Sequence, residues 1–597
     1  MSTIIDRRDL SFQLYDVLDV ERFTRRPRYA DHSRETFDAA IDTAHRIAAD
    51  AFQPHNRKAD EHEPHIVDGK VRIIPEVKAA LDAFCGAGLM AAEHDYELGG
   101  MQLPWSVGQA VFGLFQGANV ATVSYAMLTR GAANVLRVFG TDEQKRTYLL
   151  PMLEGRWFGT MVLTEPQAGS SLADIKTAAE PAGDGSYRIT GNKIFISAGD
   201  HGLSENIVHL VLARIKGAPA GTRGISLFLV PKYLPDADGR PGRRNDLALA
   251  GLIHKMGWRG TTSTMLNFGE NEGATGWLVG EAGQGLATMF HMMNEARIGV
   301  GMAATMLGYT GYLHALEYAR GRPQGRHADA KDPLSPQVPI IEHADVRRML
   351  LAQKAATEGA LSLCLYAASL VDDQHTHPDE TKRREAGLLL DILTPIVKAW
   401  PSEHCLDANR LAIQVHGGYG YTREYPVEQF YRDNRLNLIH EGTNGIQALD
   451  LLGRKATLQG GAVFSLLMRE IRATIDAARG GPAEDVRRMA EELDAAVALA
   501  EATTGTLATA VGRGEGRKAL ANAALYLDQM GHTVVAWMWL RQAMVAANGQ
   551  GGDGDFRRGK RQTARYFFTF ELPRARHWAS VLQGLDTTTL DMAEGWF

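Results

Sequence analysis

Cysteine, net positive charge and long apolar runs are scarce in this chain of 597 residues. The three cysteines, Cys85, Cys364 and Cys405, lie far apart and lack metal-ligand spacing, which indicates a reducing compartment and no metal site. The formal net charge of −6 gives no overall basic field that would attract nucleic acid. The sequence has no run of about 18 apolar residues and its first residues lack an apolar signal core, so we expect no transmembrane segment and a cytoplasmic protein.

The period of the apolar residues changes from helical to extended and back along the chain. Short runs rich in β-branched residues, separated by glycine and proline clusters, indicate an antiparallel β-domain between two helical regions. A proline-rich insert at 332–339 and a glycine-rich loop at 549–554 interrupt the later helices. We therefore predict an α+β protein. Its predicted parts are an N-terminal helical domain (1–157), a β-domain (158–280), a helical bundle (281–455) and an additional C-terminal helical domain (456–597).

The most informative stretch of the sequence covers residues 431–444. One carboxylate, Glu441, follows an apolar pair and precedes Gly442, and Thr443 or Asn444 could cap a helix that begins there. A carboxylate at such a junction can be half-buried and held still. A base that removes a weakly acidic proton from carbon needs those two properties.

The stretch around Glu441 resembles the catalytic-base motif of the flavin-dependent acyl-CoA dehydrogenases, in which Glu-Gly-Thr follows an aromatic residue. The order of helical, β and helical regions over residues 35–455 resembles the fold of that family. The resemblance implies an N-terminal helical domain, a central antiparallel β-barrel and a C-terminal four-helix bundle. Residues 11–18 and the additional C-terminal region resemble a longer bacterial subgroup that includes 3-methylmercaptopropionyl-CoA dehydrogenases.

Residues 163–171 resemble the loop of this family that contacts the flavin. A tight turn containing glycine can bring backbone N–H groups close to a planar, polar ligand. The resemblance implies that Thr164 lies near the flavin ring edge and Ser170 near the pyrophosphate or the CoA, although Ser171 stands where the family often has aspartate. An ordinary loop between a helix and a strand is the alternative. The implied cofactor residues of this segment are Met161, Leu163, Thr164, Gly169 and Ser170.

Residues 191–199 resemble the strand that covers the flavin. An aromatic side chain at Phe195 can pack on the ring system and the hydroxyl of Ser197 can bond to its edge. The family more often has tryptophan and threonine at these positions. The alternative is a hairpin strand with Phe195 in the core.

Two later segments resemble the parts of the family that reach the FAD of a neighbouring subunit. In residues 320–326, the guanidinium of Arg322 suits a pyrophosphate, although a solvated basic loop is the alternative. In residues 414–421, adjacent glycines let the backbone approach the adenine half of the nucleotide, although a glycine-rich helix end would look similar. The implied cofactor residues of these two segments are Arg322, Gln414, Gly417 and Gly418, and those after Glu441 are Thr443 and Gly445.

Arg297 matches an arginine that the family keeps near its base, and a buried structural ion pair is the alternative role. Some relatives have their catalytic glutamate one position before that arginine, where this chain has Ala296. Glu295 would face about 200° away from Arg297 on a helix, so Glu441 has no obvious competitor. The implied substrate-binding residues are Ser170, Arg297, Glu441 and Gly442.

The resemblance implies an FAD-dependent enzyme that converts an acyl-CoA thioester into a trans-2-enoyl-CoA. Glu441 would remove the α-proton while flavin N5 accepts the β-hydride, and the N–H of Glu441 would bond the thioester oxygen together with a ribityl hydroxyl. Electrons would pass to an electron-transferring flavoprotein, in fatty acid metabolism. The FAD contacts across subunits imply a homo-oligomer, with a dimer expected.

Two other activities remain open on the same fold. In an acyl-CoA oxidase, oxygen would reoxidise the flavin. A DNA-associated flavoprotein would use a basic C-terminal patch at 557–576 with aromatic residues interleaved, although a solvated or interface patch is the simpler interpretation. Glu441 favours catalysis and argues against the nitroalkane oxidases, which use aspartate. The acyl group is either 3-methylthiopropanoyl or a medium or long chain, and our guesses at its pocket lining are Glu97, Met161, Met292 and Met293.

Overall fold

The computed structural model describes residues 3–330, 332, 334–549 and 554–597, and only the backbone of residues 290–294. The guesses at Met292 and Met293 therefore lie outside the described side chains, and the predicted loops at 332–339 and 549–554 lie partly outside the described residues. The chain forms two compact units. Unit 1 comprises Met1–Arg34, Pro104–Gly113 and Arg297–Phe597, and unit 2 comprises Glu35–Leu103 and Leu114–Ala296.

Helices make up most of the described chain. Thr141 caps the helix that begins at Asp142, since its Oγ1 accepts from the N–H of Gln144 and Gln144 Oε1 accepts from the N–H of Thr141. The α-helices of the described residues are α1 (Arg7–Ser11), α2 (Arg34–Ile47), α3 (Asn56–Glu61), α4 (Pro75–Gly86), α5 (Trp105–Phe139), α6 (Asp142–Gln144), α7 (Leu150–Leu153), α8 (Gly285–Gly321), α9 (Ala344–Thr376), α10 (Glu380–His416), α11 (Val427–Asn434), α12 (Asn444–Asp450), α13 (Ala462–Arg479), α14 (Glu484–Gly512), α15 (Gly516–Leu520), α16 (Ala523–Asn548), α17 (Gly554–Tyr566), α18 (Arg574–Gln583) and α19 (Thr588–Asp591).

Helix α5 is the one described helix that is long and apolar enough to cross a membrane by length and composition. Its most apolar window is 89% buried inside the structure, as the core helix of a folded domain would be. An extended backbone at Asn119 interrupts the helix, and the Asn119 side chain accepts from the N–H of Thr122. A buried, interrupted helix is weak evidence for a membrane span.

The described strands of unit 2 are β1 (His65–Val67), β2 (Lys70–Arg72), β3 (Trp157–Val162), β4 (Ala178–Pro181), β5 (Tyr187–Ser197), β6 (Asn206–Ile215), β7 (Ile225–Pro231), β8 (Tyr233–Pro235), β9 (Pro241–Arg244), β10 (Leu247–Leu252), β11 (Ser263–Phe268) and β12 (Ala274–Val279). Eight of them form one predominantly antiparallel sheet, and the pairs β1–β2 and β8–β9 are separate. Neighbouring pairs join β4 to β5, β5 to β12, β12 to β7, β7 to β6 and β6 back to β4, so these five strands close a ring, as the prediction of a barrel requires.

The prediction of a purely antiparallel β-domain is wrong for two pairs, because β6 runs parallel to both β3 and β4. More than 40 residues separate Trp157 from its partner Asn206, which leaves room for the long crossover that a parallel pair needs. Strand β7 is buried along its whole length. A strand buried on both faces appears in the sequence as a continuous apolar run, as residues 225–231 do.

The basic, aromatic patch predicted near the C-terminus is divided between the core and the surface. Its aromatic residues Tyr566, Phe567 and Phe568 are buried, and so is Lys560. Arg561 pairs with Asp485, and its Nε lies 3.0 Å from Asp485 Oδ2. The exposed arginines are consistent with the simpler interpretation of a solvated patch, and they are Arg558, Arg565, Arg574 and Arg576. The DNA-associated alternative loses the interleaved aromatic residues, because these lie in the core.

Candidate active site

The carboxylate Glu441 lies on a tight turn in unit 1, directly before helix α12. Glu441 and Gly442 both have left-handed backbones, with φ of 54° and 86°. Thr443 is the N-cap, as predicted, and its Oγ1 accepts from the N–H of Ile446 at 3.3 Å. The amide of the buried Gln447 donates to the carbonyls of Glu441 and Gly442 at 3.3 and 3.4 Å. The turn is therefore held both by its own helix cap and by a side chain from the following turn of helix.

Opposing effects act on the ionisation of Glu441. The side chain is half-buried, and removal from water disfavours its charged form. Burial therefore raises the pKa of Glu441, whereas the positive charges of Arg297 and Lys398 lower it, and the net effect is an increase. A raised pKa makes the carboxylate a stronger base once it is ionised.

Lys398 is a residue of this site that the sequence analysis missed. It lies on helix α10 with a fully buried side chain, and its Nζ donates to Asn444 Oδ1 at 3.0 Å. Burial lowers the pKa of Lys398 to about 7, although the charge of Glu441 acts in the opposite direction. The sequence signal that could have identified Lys398 is that it is a single cation inside an apolar helical stretch. That stretch contains Ile396, Val397, Ala399 and Trp400, all of them buried.

Arg297 forms a buried ion pair, which was the alternative role considered for it. Its Nη1 lies 3.3 Å from Asp450 Oδ2, and Arg454 Nε binds the other Asp450 oxygen at 2.7 Å. Burial lowers the pKa of Arg297, while Asp450 and then Glu441 raise it. Within the described part of the chain, Arg297 Nε has no hydrogen-bond partner. Arg297 is therefore anchored at one end and keeps a buried donor at the other.

Three hydrogen-bonded asparagines support the segment before Glu441. Asn409 Oδ1 accepts from Asn434 at 2.7 Å, and Asn434 Oδ1 accepts from Asn437 at 3.0 Å. His440 Nε2 lies 3.0 Å from Asn437 Oδ1. Burial, together with the charge of Lys398, lowers the pKa of His440 to about 3, so this imidazole is neutral near neutral pH. The residue beside Glu441 thus adds rigidity without adding charge.

In unit 2, the loop after β3 is organised by a buried ion pair that sequence reasoning also missed. Lys193 Nζ lies 2.9 Å from Glu165 Oε1 and donates to the carbonyls of Leu163 and Leu212, each at 2.9 Å. Burial alone would raise the pKa of Glu165, but Lys193 and the hydrogen bonds from the N–H of Lys176 and the hydroxyl of Thr177 lower it to about 2. The start of the loop predicted to contact a flavin is therefore fixed by buried hydrogen bonds.

The predicted cofactor residues of unit 2 are accessible. Phe195 has a left-handed φ of 59° and a side chain that is 62% exposed, so the alternative of a core phenylalanine is wrong. Gly169 and Ser170 are exposed, and a Cβ at Gly169 would meet no atom within 4 Å. Met161, Leu163, Thr164 and Ser197 are half-buried. An exposed aromatic ring beside an open glycine loop fits a planar ligand such as a flavin.

The predicted cofactor residues of unit 1 lie on its surface. Arg322 and Gln414 are exposed, and the Arg322 guanidinium lies 5.9 Å from the centre of the Tyr419 ring. The exposed glycines Gly417 and Gly418 have open space where a Cβ would stand. Of the two predicted cofactor residues that follow Glu441, Gly445 is exposed and Thr443 is half-buried. Arg322 has no ion-pair partner among the residues that the structure describes, so its charge is available to an anionic ligand.

Glu295 is a second carboxylate removed from water, in unit 2. Asn134 Nδ2 donates to Glu295 Oε2 at 2.7 Å, and burial raises the pKa of Glu295 to about 7. The adjacent Ala296 packs against the core of unit 2, and it provides no base. Of the guessed pocket residues, Glu97 is exposed and Met161 half-buried.

Four family models match successive parts of the chain. They are the acyl-CoA dehydrogenase N-terminal domain at residues 34–156, the middle domain at 160–270, the C-terminal domain at 283–457, and the acetyl-CoA dehydrogenase C-terminal-like domain at 467–593.

Full-length proteins are similar to the chain as well. A 3-methylmercaptopropionyl-CoA dehydrogenase of Ruegeria pomeroyi is 39% identical over 94% of both chains. A broad-specificity linear acyl-CoA dehydrogenase of Mycobacterium tuberculosis is 35% identical over 99% of both. The crystal structure of an acyl-CoA dehydrogenase from Bacillus anthracis, complexed with FAD, superposes with a TM-score of 0.75 at 21% identity and covers 95% of this chain and 91% of its own. The chain belongs to the acyl-CoA dehydrogenase family of FAD-dependent enzymes.

Proposed function

We propose that this protein dehydrogenates an acyl-CoA thioester between its α and β carbons, with Glu441 as the base. The observation that carries the proposal is the half-buried carboxylate of Glu441 on a capped turn, where the buried cations Arg297 and Lys398 act on its pKa. An α-proton next to a thioester is weakly acidic, so its removal needs a base with a raised pKa and a fixed position. Glu441 has both properties.

The backbone of the same turn supports stabilisation of the developing charge on the thioester. Within the described residues the N–H of Glu441 donates to no other group, so it is available to a substrate oxygen. A donor that is held in place before the reaction stabilises an enolate oxygen without further reorganisation. The cap at Thr443 and the bonds from Gln447 hold this N–H still.

The exposed residues of both units support FAD binding. When bound, FAD supplies the acceptor for the β-hydride. We propose that in unit 2 the exposed Phe195 ring and the loop at Gly169 hold the flavin half. Arg322, Gln414, Gly417 and Gly418 of unit 1 suit the phosphate and adenine half of the FAD of a neighbouring subunit. Ser170, Arg297, Gly442 and Glu441 are the residues that we propose for the acyl-CoA.

The names of the relatives support two classes of acyl group. One relative is named for 3-methylmercaptopropionyl-CoA and the other for linear acyl-CoAs of broad specificity. We propose that the substrate is 3-methylthiopropanoyl-CoA or a medium- to long-chain acyl-CoA, in fatty acid metabolism. Bleaching of the flavin by a panel of acyl-CoAs that differ in length distinguishes these substrates.

The remaining assignments are proposals of the same kind. We propose a homodimer, an electron-transferring flavoprotein as the acceptor, and the cytoplasm as the location. All three cysteines are free, which suits a reducing compartment. Hydrogen peroxide released during turnover, with no reduction of an electron-transferring flavoprotein, would instead identify an acyl-CoA oxidase.

The substitution Glu441→Gln tests the base. We expect the variant to retain bound FAD and to lose bleaching of the flavin by acyl-CoA, with a rate at least about a hundredfold lower, since an amide cannot accept the α-proton. Glu295→Gln is the matched control, because it makes the same change at another carboxylate of raised pKa, and it should bleach at the parent rate. Normal bleaching by Glu441→Gln would contradict the proposed function.

A further inference from the structure

Lys398 is an unusual residue for the core of a helical bundle. Its side chain is fully buried on α10, and no carboxylate of the described residues lies within ion-pair distance of its ammonium. Its one hydrogen bond to a side chain reaches Asn444, the first residue of α12. A buried ammonium without a carboxylate partner costs folding stability, so stability does not account for it.

The charged groups around Glu441 come from several elements. Helix α8 contributes Arg297 and helix α10 contributes Lys398, and Glu403, also on α10, acts on Lys398. His440 lies on the segment of Glu441 itself and is neutral. The ion pair of Asp450 with Arg297 and Arg454 lies at the other end of α12. The charge of Arg297 is therefore partly neutralised by Asp450, whereas Lys398 has no carboxylate bonded to it among the described residues.

Asn444 connects the lysine to the turn that carries the base. Its Oδ1 accepts from Lys398 Nζ at 3.0 Å, and its Nδ2 donates to Glu403 Oε2 at 3.3 Å. Both partners belong to α10, so the side chain of Asn444 fastens the first turn of α12 to that helix. Glu441 is three residues before Asn444, on the other side of the Thr443 cap.

We propose that Lys398 is a positioning residue for the base: its buried ammonium keeps the Glu441 carboxylate ionised before substrate binds and, through Asn444, holds the turn that carries Glu441. This inference rests on the proposed function. Since burial favours the neutral carboxylic acid, a nearby cation is needed for Glu441 to be a base over a useful pH range. The pKa of Lys398 is about 7, so its side chain is protonated below that pH. In this range Glu441 would otherwise bind a proton and lose its activity as a base.

The experiment follows acyl-CoA-dependent bleaching of the holoenzyme from about pH 5 to about pH 9 in the parent and in Lys398→Met. Without the ammonium, the acid limb of the rate profile should move up by about 1 pH unit, so that the rate one unit below the parent midpoint falls about tenfold. The rates on the alkaline side should differ much less. Asn444→Ala is the matched control, because it removes the hydrogen bond and keeps the charge, and its acid limb should stay at the parent position.

Thermal unfolding of the same variants gives a readout that does not depend on turnover. Burial lowers the pKa of Lys398 from 10.5 to about 7, so the folded state binds this proton less tightly than the unfolded state does. The ammonium therefore costs stability below about pH 7, and the cost disappears as the pH rises towards 10.5. Lys398→Met should unfold at the parent temperature or above it at neutral and lower pH.

The outcomes separate this inference from the function on which it rests. If Lys398→Met binds FAD and its acid limb stays at the parent position, the role of Lys398 is wrong. If Lys398→Met does not fold, Lys398→Gln takes its place under the same criterion. Bleaching by Glu441→Gln would instead overturn the proposed function, whatever Lys398 does.

Discussion

At the scale of single residues, the turn at Glu441 depends on backbone conformations that side chains rarely adopt. Gly442 has φ of 86°, and a Cβ there would lie 2.6 Å from the amide nitrogen of Gln447. Glu441 itself has φ of 54°, so the proposed base has a backbone conformation that is less favourable for a residue with a side chain. Such conformations persist where the surrounding structure over-determines them, here through Thr443 and Gln447.

The substitution Gly442→Ala tests this turn. A Cβ must displace the Gln447 amide and accept a left-handed backbone, so we expect a loss of about 1–2 kcal/mol in the free energy of unfolding. Flavin bleaching should slow with it, because the base moves. Gly445→Ala is the control three residues away, where the nearest atom to a Cβ would be Thr443 Oγ1 at 3.9 Å. Equal effects of the two substitutions in chemical unfolding would contradict this account.

At the scale of elements, one lysine joins three strands of unit 2. Lys193 on β5 binds the carbonyl of Leu163 after β3, the carbonyl of Leu212 on β6 and the carboxylate of Glu165. Glu165 in turn accepts from the N–H groups of Lys176 and Thr177 at 2.6 and 3.0 Å. The loop proposed to contact the flavin is therefore part of a buried polar network whose members satisfy one another.

The substitution Lys193→Met should break that network and release FAD. It leaves Glu165 buried without its cation, which costs about 3–5 kcal/mol of stability. We expect most FAD to be lost on gel filtration, measured by absorbance of the bound flavin. Lys216→Met is the control, since Lys216 forms an exposed pair with Glu180 and should retain FAD. Full retention of FAD by Lys193→Met would be evidence against a role in shaping the loop.

The Glu165 ion pair also predicts a dependence of stability on pH. Its pKa of about 2 in the folded state lies below its usual value of 4.5, so the stabilisation is fully present above pH 4.5. It is lost as the pH falls from 4.5 towards about 2. Acid unfolding followed by circular dichroism should show this loss in the parent, and Glu165→Gln should weaken the dependence in that window. An unchanged acid profile in Glu165→Gln would contradict the assignment.

At the scale of the whole chain, a buried charge cluster joins the two ends of unit 1. Lys560 on α17 forms an ion pair with Asp9 on α1, and its Nζ lies 2.8 Å from Glu358 Oε2 on α9. Lys354 pairs with Glu358, and the hydroxyl of Tyr309 donates to Asp9 at 2.9 Å. The cluster thus places two cations, Lys560 and the half-buried Lys354, beside two buried carboxylates. Segments more than 500 residues apart thus depend on one another.

The substitution Lys560→Met should destabilise unit 1 as a whole. It leaves Asp9 and Glu358 buried with one cation between them, and we expect a loss of about 3–5 kcal/mol. Thermal unfolding and proteolysis of the first residues of the chain report the change. Lys518→Met is the control, since Lys518 is exposed and pairs only with its neighbour Glu515, three residues away, so it should change stability by less than about 0.5 kcal/mol. A Lys560→Met variant with parent stability would refute the proposed dependence.

The sequence by itself determined the class of fold and led to Glu441 as the proposed base. Local signals decided these features: the change of hydrophobic period near residue 158, the Thr443 cap and the glycine that follows Glu441 all act within a few residues. The resemblance to the acyl-CoA dehydrogenases was recognisable for the same reason, since each motif is a short segment. The division into four domains and the roles of the cofactor residues stay predictions.

Only the tertiary structure decided which charges lie near Glu441 and which strands run parallel. Lys398 is 43 positions before Glu441, and Lys193 is 28 positions after Glu165, so no local pattern links the members of either pair. The same reason explains why Lys560 was wrongly included in the C-terminal basic patch, since it meets its carboxylates only in the folded chain. The burial of a charged side chain and the choice of its ion-pair partner depend on which residues meet in the folded protein. The spacing of two residues along the chain does not give their distance in space.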